Sequence, residues 1–338
     1  SIKRDAIDVS HIVGKGQLEK LKATVSEKDI KLVVFDLNNV KPAQVRNLEE
    51  YLKCRVVGRT EVILDIFARR ARSAESKIQV ELAQLNYILP RLKGLGGVLS
   101  RLGGGIGTRG PGEKMLETDR RHVLRRITKL KQKLKKISRH RELIRKSRSD
   151  QLRGAVVGYT NAGKSTLLNS LARDDLFVED RLFATLDAYT RVVYLDDSRK
   201  VLMTDTVGFI NNLPSNLVES FKSTLEEIRN AHFLVHVVDI TSRDIDAAIK
   251  TVTNELRALD CGEKETLLFF NKADLIRDDT LLAETISNRF PDAIIGSAAD
   301  DAGTDILKRR IIEIYDTVKS KECQDSDDPG RNCNYECF

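Results

Sequence analysis

No run of this chain is apolar over enough residues to approach a membrane span, and no secretory signal stands in it. A membrane-embedded or exported protein is therefore not expected. Cysteine is equally uninformative: Cys54, Cys261, Cys323, Cys333 and Cys337 are scattered, with spacing that suits neither a disulfide framework nor a tetrahedral zinc set. A reducing compartment is expected, the bacterial cytoplasm first and an organelle as the alternative. Acids are nearly missing from Arg120 to Arg148, where Glu142 is the only one, and Phe, Tyr and Trp are missing there altogether. The lack of acids excludes a face stabilised by mixed i,i+4 ion pairs. The lack of rings argues against stacking on single-stranded bases.

What is present is positive charge and phosphate chemistry. The 338 residues carry 57 lysines and arginines against 50 acids, a formal net charge of +7, which points to an anionic partner. That length predicts two or three domains. The chain starts without methionine close to a folded-looking region, which suggests residues missing upstream.

Gly158-Tyr159-Thr160-Asn161-Ala162-Gly163-Lys164-Ser165 is a complete G-x-x-x-x-G-K-S phosphate loop. It follows a predicted strand, Ala155–Val157, and opens a predicted helix, Ser165–Leu171, the context in which backbone N–H groups and a helix dipole wrap phosphates. Lys164 is expected on the β- and γ-phosphates and Ser165 on magnesium. Downstream, Asn271-Lys272-Ala273-Asp274 follows the apolar strand Leu267–Phe270. A carboxylate there accepts from guanine N1–H and the exocyclic amine, a donor pair that adenine lacks. The pair of motifs predicts a GTPase domain.

Two more segments fit it. Asp205-Thr206-Val207-Gly208 is a D-x-x-G turn at a strand end, with Asp205 in the magnesium shell and the Gly208 N–H sensing the γ-phosphate. Phe183-Ala184-Thr185-Leu186-Asp187 lies between the motifs as a first switch, Thr185 being the expected second magnesium ligand and Thr190 the alternative. Lys164, Thr185 and Gly208 form the expected catalytic set. Ser297-Ala298-Ala299, after the strand Ala293–Ile295, closes the guanine pocket with a backbone N–H. Phe209 stands where Ras-like enzymes keep a water-orienting glutamine, so slow intrinsic turnover is expected, raised by a partner or an ion. Asn161 has two readings: a ligand of potassium, or a turn residue bonding its own backbone.

The remaining strands of the domain are placed at Arg191–Leu195, Lys200–Thr204, Phe233–Asp239 and Thr266–Phe270, with helices such as Asp244–Leu259 and Asp279–Phe290 between them. This alternation predicts an α/β fold, a mostly parallel sheet with helices on both faces, over residues 151–319. Residues 320–338 read as a disordered tail. Residues 1–71 read as a small α/β subdomain: strand Lys31–Asp36, helix Ala43–Leu52, strand Arg55–Val57, helix Glu61–Ala71.

Residues 72–150 read as an antiparallel helical hairpin. Ile78, Leu82, Leu85 and Leu89 make one seam; Leu116, Val123, Ile127, Leu130, Leu134, Ile137 and Ile144 make the other, broken at Arg141. The basic face beyond the second seam calls for a polyanion, best a structured RNA read by backbone and shape. A glycine-rich loop, 94–112, joins the helices, thin enough to enter a confined place, with Arg101 and Arg109 placed to grip phosphates.

Gly104-Gly-Ile-Gly-Thr-Arg-Gly-Pro-Gly-Glu113, the basic helix, the phosphate loop, Phe183–Asp187, Asp205–Ile210 and the N-terminal His11–Glu19 together resemble the HflX family of GTPases, over nearly everything from residue 8 to 318. Departures are Glu113–Glu117, where relatives read Gly-Glu-Thr-Gln-Leu-Glu, Ala188-Tyr189 in place of Pro-Thr, and a shortened start. The resemblance implies a monomeric GTP hydrolase that binds the large ribosomal subunit through ribosomal RNA and splits stalled or idle ribosomes under stress, its hairpin loop near the peptidyl-transferase centre. Its cofactors are GTP and magnesium, with potassium as an addition. A GTPase timer of ribosome assembly and a GTP-dependent adaptor of a protease are the rival readings.

Overall fold

A computed structural model describes residues 11–99, 111–146, 151–172, 189–210, 222–276 and 280–325. Their described parts fall into two compact units that divide after Arg141.

In the first unit, α1 (Lys15–Glu27) precedes a β–α–β unit of β1 (Leu32–Phe35), α2 (Pro42–Leu52) and β2 (Arg55–Gly58). The strands pair in parallel, Leu32 opposite Arg55 and Phe35 opposite Gly58. Pro42 takes the first helical position, where its missing N–H costs nothing, and the Lys41 N–H donates to Gln44 Oε1 at 3.0 Å. Leu48 and Leu52 of α2 pack with Leu18, Val40 and Val56 into a small core. Helix α1 is an addition to the sequence expectation. Its Leu18, Leu21 and Val25 repeat at helical spacing, but the lysines and glutamates around them leave only a narrow apolar stripe.

Helix α3 (Arg59–Arg70) follows β2 directly, the Gly58 N–H donating to Glu61 Oε2 at 3.0 Å. Then come α4 (Ala74–Leu99) and α5 (Pro111–Lys146). They pack through Leu82, Ile127 and Leu130, flanked by Ile78, Leu85, Leu89, Val123 and Leu134, as the two seams require. The pairs Glu75–Arg141 and Glu81–Arg126 fix the antiparallel sense, since the lower number meets the higher. Arg141 interrupts the seam because it answers the buried Glu75. The connection is shorter than the expected 94–112. Helix α4 continues through Gly94, Gly96 and Gly97 to Leu99, and Pro111 opens α5. Glycine costs a helix about 1 kcal/mol relative to alanine without stopping it, and extending a packed stem needs no new nucleus. Arg101, Arg109 and the rest of 100–110 lie outside the described residues.

The second unit alternates strand and helix: β3 (Arg153–Gly158), α6 (Lys164–Ala172), β4 (Tyr189–Tyr194), β5 (Lys200–Asp205), α7 (Lys222–Asn230), β6 (Phe233–Asp239), α8 (Ile245–Ala258), β7 (Glu265–Asn271), α9 (Thr280–Arg289), β8 (Ile294–Ile295) and α10 (Thr304–Asp325). Strand order is β4-β5-β3-β6-β7-β8, parallel throughout except where β4 meets β5. Alternate residues face opposite layers. Val235, Val237 and Phe269 pack with Leu167, Leu168, Leu171, Leu307 and Ile311 of α6 and α10. Val238 and Phe270 pack on the other side with Ile245, Ile249 and Ile286 of α8 and α9. The expected sheet covered on both faces is what the chain forms. One boundary moves: α10 runs past Ser320, whose Oγ donates to the Asp316 carbonyl at 2.7 Å, so residues 320–325 are helical and not tail. Residues 326–338 lie outside the described residues.

Candidate nucleotide-binding site

The C-terminal ends of β3, β5, β7 and β8 carry the polar residues that sequence singled out, at the edge where open α/β sheets bind ligands. From β3 the chain turns through Gly158–Gly163 into α6. Asn161 takes φ 64° and Gly163 φ 91°. A side chain on Gly163 would collide with the Asn271 carboxamide, so glycine is demanded there by both backbone and space. The left-handed conformation of Asn161 agrees with its reading as a turn residue.

The cationic and metal-seeking groups of the site bond to neighbouring protein groups. Lys164 is buried and its Nζ donates to the Tyr159 carbonyl at 2.9 Å. Burial pulls its pKa down to about 8, with the Asp205 carboxylate resisting the drop. Ser165 Oγ donates to Asp205 Oδ2 at 2.5 Å. A hydroxyl and a carboxylate converging this closely form the hard-oxygen corner that suits magnesium, so the residues fit the ion. Thr206 Oγ1 donates to the Val156 carbonyl at 2.7 Å, anchoring the D-x-x-G turn to β3. A side chain on Gly208 would meet Thr160 Cα at 2.8 Å and Lys164 Nζ at 2.9 Å.

Phe209 has a part that its side chain did not suggest. Its N–H donates to the Gly158 carbonyl at 3.0 Å and its carbonyl accepts from the Thr160 N–H at 2.9 Å. The ring is buried.

On the guanine side, Asn271 Nδ2 donates to the Ala162 carbonyl and Asn271 Oδ1 accepts from the Ala298 N–H, each at 2.9 Å. Asp274 Oδ1 accepts from Ser297 Oγ at 2.6 Å, and the Ala273 N–H donates to the Gly296 carbonyl at 3.0 Å. Asn271–Asp274 and Ser297–Ala298 are thus brought together. Ala299 sits in the turn that follows them. Phe183–Asp187 with Thr185 lie outside the described residues. The alternative, Thr190, lies in β4 with its hydroxyl 2.9 Å from that of Thr204.

Sequence reasoning passed over the end of β6. A cavity of about 220 Å³ beside the phosphate loop is lined by Tyr159–Ala162, His236–Asp239, Thr241, Ser242 and Ala248. His236 is buried, its pKa pulled down to about 4 first by burial and then by the Lys164 ammonium. Asp239 Oδ2 accepts from Lys272 Nζ at 2.7 Å. A carboxylate at a strand's C-terminal end was the available signal.

The fold and the converging loops define a P-loop GTPase. Residues 153–272 match the family described as 50S ribosome-binding GTPase, residues 1–68 the GTP-binding GTPase N-terminal region and residues 70–148 the GTP-binding GTPase middle region. GTPase HflX of Caldanaerobacter subterraneus subsp. tengcongensis is 53% identical over 276 residues, 81% of this chain and 64% of that protein. HflX of Alkalihalophilus pseudofirmus is 47% identical over 91% of this chain and 72% of its own length, and that of Escherichia coli K12 41% over 92% and 73%. The chain therefore spans about two thirds to three quarters of these relatives. Among solved structures, SsGBP in complex with GDP superposes with a TM-score of 0.51 at 26% identity, covering 92% of this chain and 88% of that one. The chain belongs to the HflX family of GTPases.

Proposed function

We propose that the protein hydrolyses GTP, binds the large ribosomal subunit, and uses its nucleotide state to gate that attachment during ribosome splitting or recycling under stress. The observation that carries the nucleotide half is the convergence of Gly163, Lys164, Ser165, Asp205, Asn271 and Asp274 at one edge of a parallel sheet. The ribosomal half rests on the family match and on the exposed basic residues of α5, among them Arg125, Lys129, Lys133, Lys135, Lys136 and Arg139. Arg126 and Arg141 of the same helix are instead held by acids of α4. Arg126 makes a two-pronged pair with Glu81 at 2.6 and 2.8 Å, and Arg141 pairs with Glu75.

In this reading Lys164 leaves the Tyr159 carbonyl for phosphate oxygens, and Ser165 and Asp205, with Thr185, hold magnesium. Bound magnesium neutralises charge that develops on the transferred phosphoryl group. Asp274 accepts the guanine donors, and the Gly208 N–H reports the γ-phosphate. Phe209 offers no group to orient water, so intrinsic turnover is slow and the ribosome completes the site. Potassium is an optional added source of positive charge, for which Asn161 would supply a ligand beyond its part in the turn.

Density-gradient profiles of intact ribosomes incubated with the protein test this. Splitting into subunits with GTP and not with GDP is expected. An unchanged profile, with maturation of precursor particles instead, would move the function to assembly.

A further inference from the structure

Asp239 is the last residue of β6 and stands opposite Asn271, the last residue of β7, in their shared register. Its two carboxylate oxygens are divided. Oδ1 accepts from the Thr241 N–H at 2.9 Å and from Thr241 Oγ1 at 2.7 Å, a local turn that fixes the direction of the carboxylate. Oδ2, so aimed, accepts from Lys272 Nζ at 2.7 Å, and both side chains of this pair are about three-quarters buried, with 25% and 24% exposed.

Lys272 is the second residue of the guanine motif and takes φ 69°, a conformation a lysine adopts rarely. The backbone around it is held too: the Ile240 N–H donates to the Asn271 carbonyl and the Ala273 N–H to the Gly296 carbonyl, each at 3.0 Å. A lysine stem is four methylenes ending in a charge, and unrestrained it samples many rotamers. Tied at its head by Asp239, it is a fixed apolar rod between Asn271 and Asp274.

We infer that Asp239 is a positioning residue for nucleotide binding, acting through Lys272 to hold the lysine stem in place at the guanine end of the site. Both Asp239 oxygens are taken up by Thr241 and Lys272, so its influence on the nucleotide runs through Lys272: it sets the entropy that the lysine loses when a base arrives. The inference rests on the guanine-nucleotide reading of the site. It follows that Asp239 governs affinity for GDP and GTP alike and leaves the chemical step alone.

Asp239→Asn separates the two jobs of the carboxylate, because the amide oxygen still accepts from Thr241 while the amide nitrogen opposes the lysine ammonium. Titration with a fluorescent GDP should show binding about tenfold weaker. The KM for GTP should rise by the same factor, with kcat within about twofold and an unchanged preference between GDP and GTP. In a Lys272→Met background the Asp239→Asn change should add nothing further. Wild-type affinity in Asp239→Asn overturns the inference. So does a loss of the same size in the Lys272→Met background, which would make Asp239 a structural residue of the β6 turn. A wild-type protein that fails to bind GDP at all removes the guanine reading itself, and the inference with it.

Discussion

Asn271 and Ala162 lie 109 residues apart in the chain and meet at 2.9 Å, the carboxamide Nδ2 donating to the phosphate-loop carbonyl. The same carboxamide takes the Ala298 N–H on its oxygen. One buried side chain therefore holds the phosphate loop and the guanine-closing loop in register.

Asn271→Ala leaves two buried backbone groups without partners, at a cost of about 2–3 kcal/mol. Thermal denaturation should show a clear loss of stability, and GDP titration a loss of at least about tenfold in affinity. A variant with wild-type melting and wild-type affinity would contradict the bridging role.

His236 and Lys164 predict how stability depends on pH. The native His236 pKa is about 4 against an ordinary 6.5. Between those values the unfolded chain binds more protons, so the histidine's contribution is complete above pH 6.5 and is lost as pH falls to 4. Chemical denaturation at pH 7 and pH 5 should show a smaller loss for His236→Leu than for wild type. Equal losses would contradict it.

The same logic applied to Lys164, about 8 against 10.5, gives stability that rises with pH across that window. Burying this ammonium costs the folded protein. Lys164→Met should raise Tm by roughly 3–5 °C at pH 7 while abolishing GTP turnover. A lower Tm would show that the hydrogen bond to the Tyr159 carbonyl outweighs the burial.

On α5, replacing Lys129, Lys133 and Lys136 by glutamate should weaken binding to large ribosomal subunits. The slope of log affinity against log salt should fall in magnitude by about 2 to 3. All three side chains are exposed, so melting should hardly change. Glu81→Gln is the contrast: it frees Arg126 and should loosen the hairpin without weakening the basic face.

The local chemistry was legible in the sequence, because a phosphate loop or an Asn-Lys-x-Asp turn is contiguous and its glycines and carboxylates have few other uses. The sheet was legible as well: β6 is apolar from Phe233 to Val238 but for His236, and the start of α8 is marked by Asp244, whose Oδ1 accepts from the Ala247 N–H at 2.8 Å. What escaped depends on partners far along the chain. Arg141 looked like a flaw in a seam until Glu75 was placed opposite it. Phe209 was read through its side chain, whereas its backbone does the bonding to Gly158 and Thr160. Asp239 was an unremarked strand end until Lys272 met it. Helix ends were misjudged at Gly94 and Ser320, where weak local preference yields to continuation of an existing helix.

The most direct test of the account is GTP turnover with and without large ribosomal subunits, at low and high potassium. The account predicts slow turnover alone and a stimulation of at least about tenfold by subunits, lost in the Lys129, Lys133 and Lys136 charge reversal. Turnover that ribosomal subunits leave unchanged would contradict it.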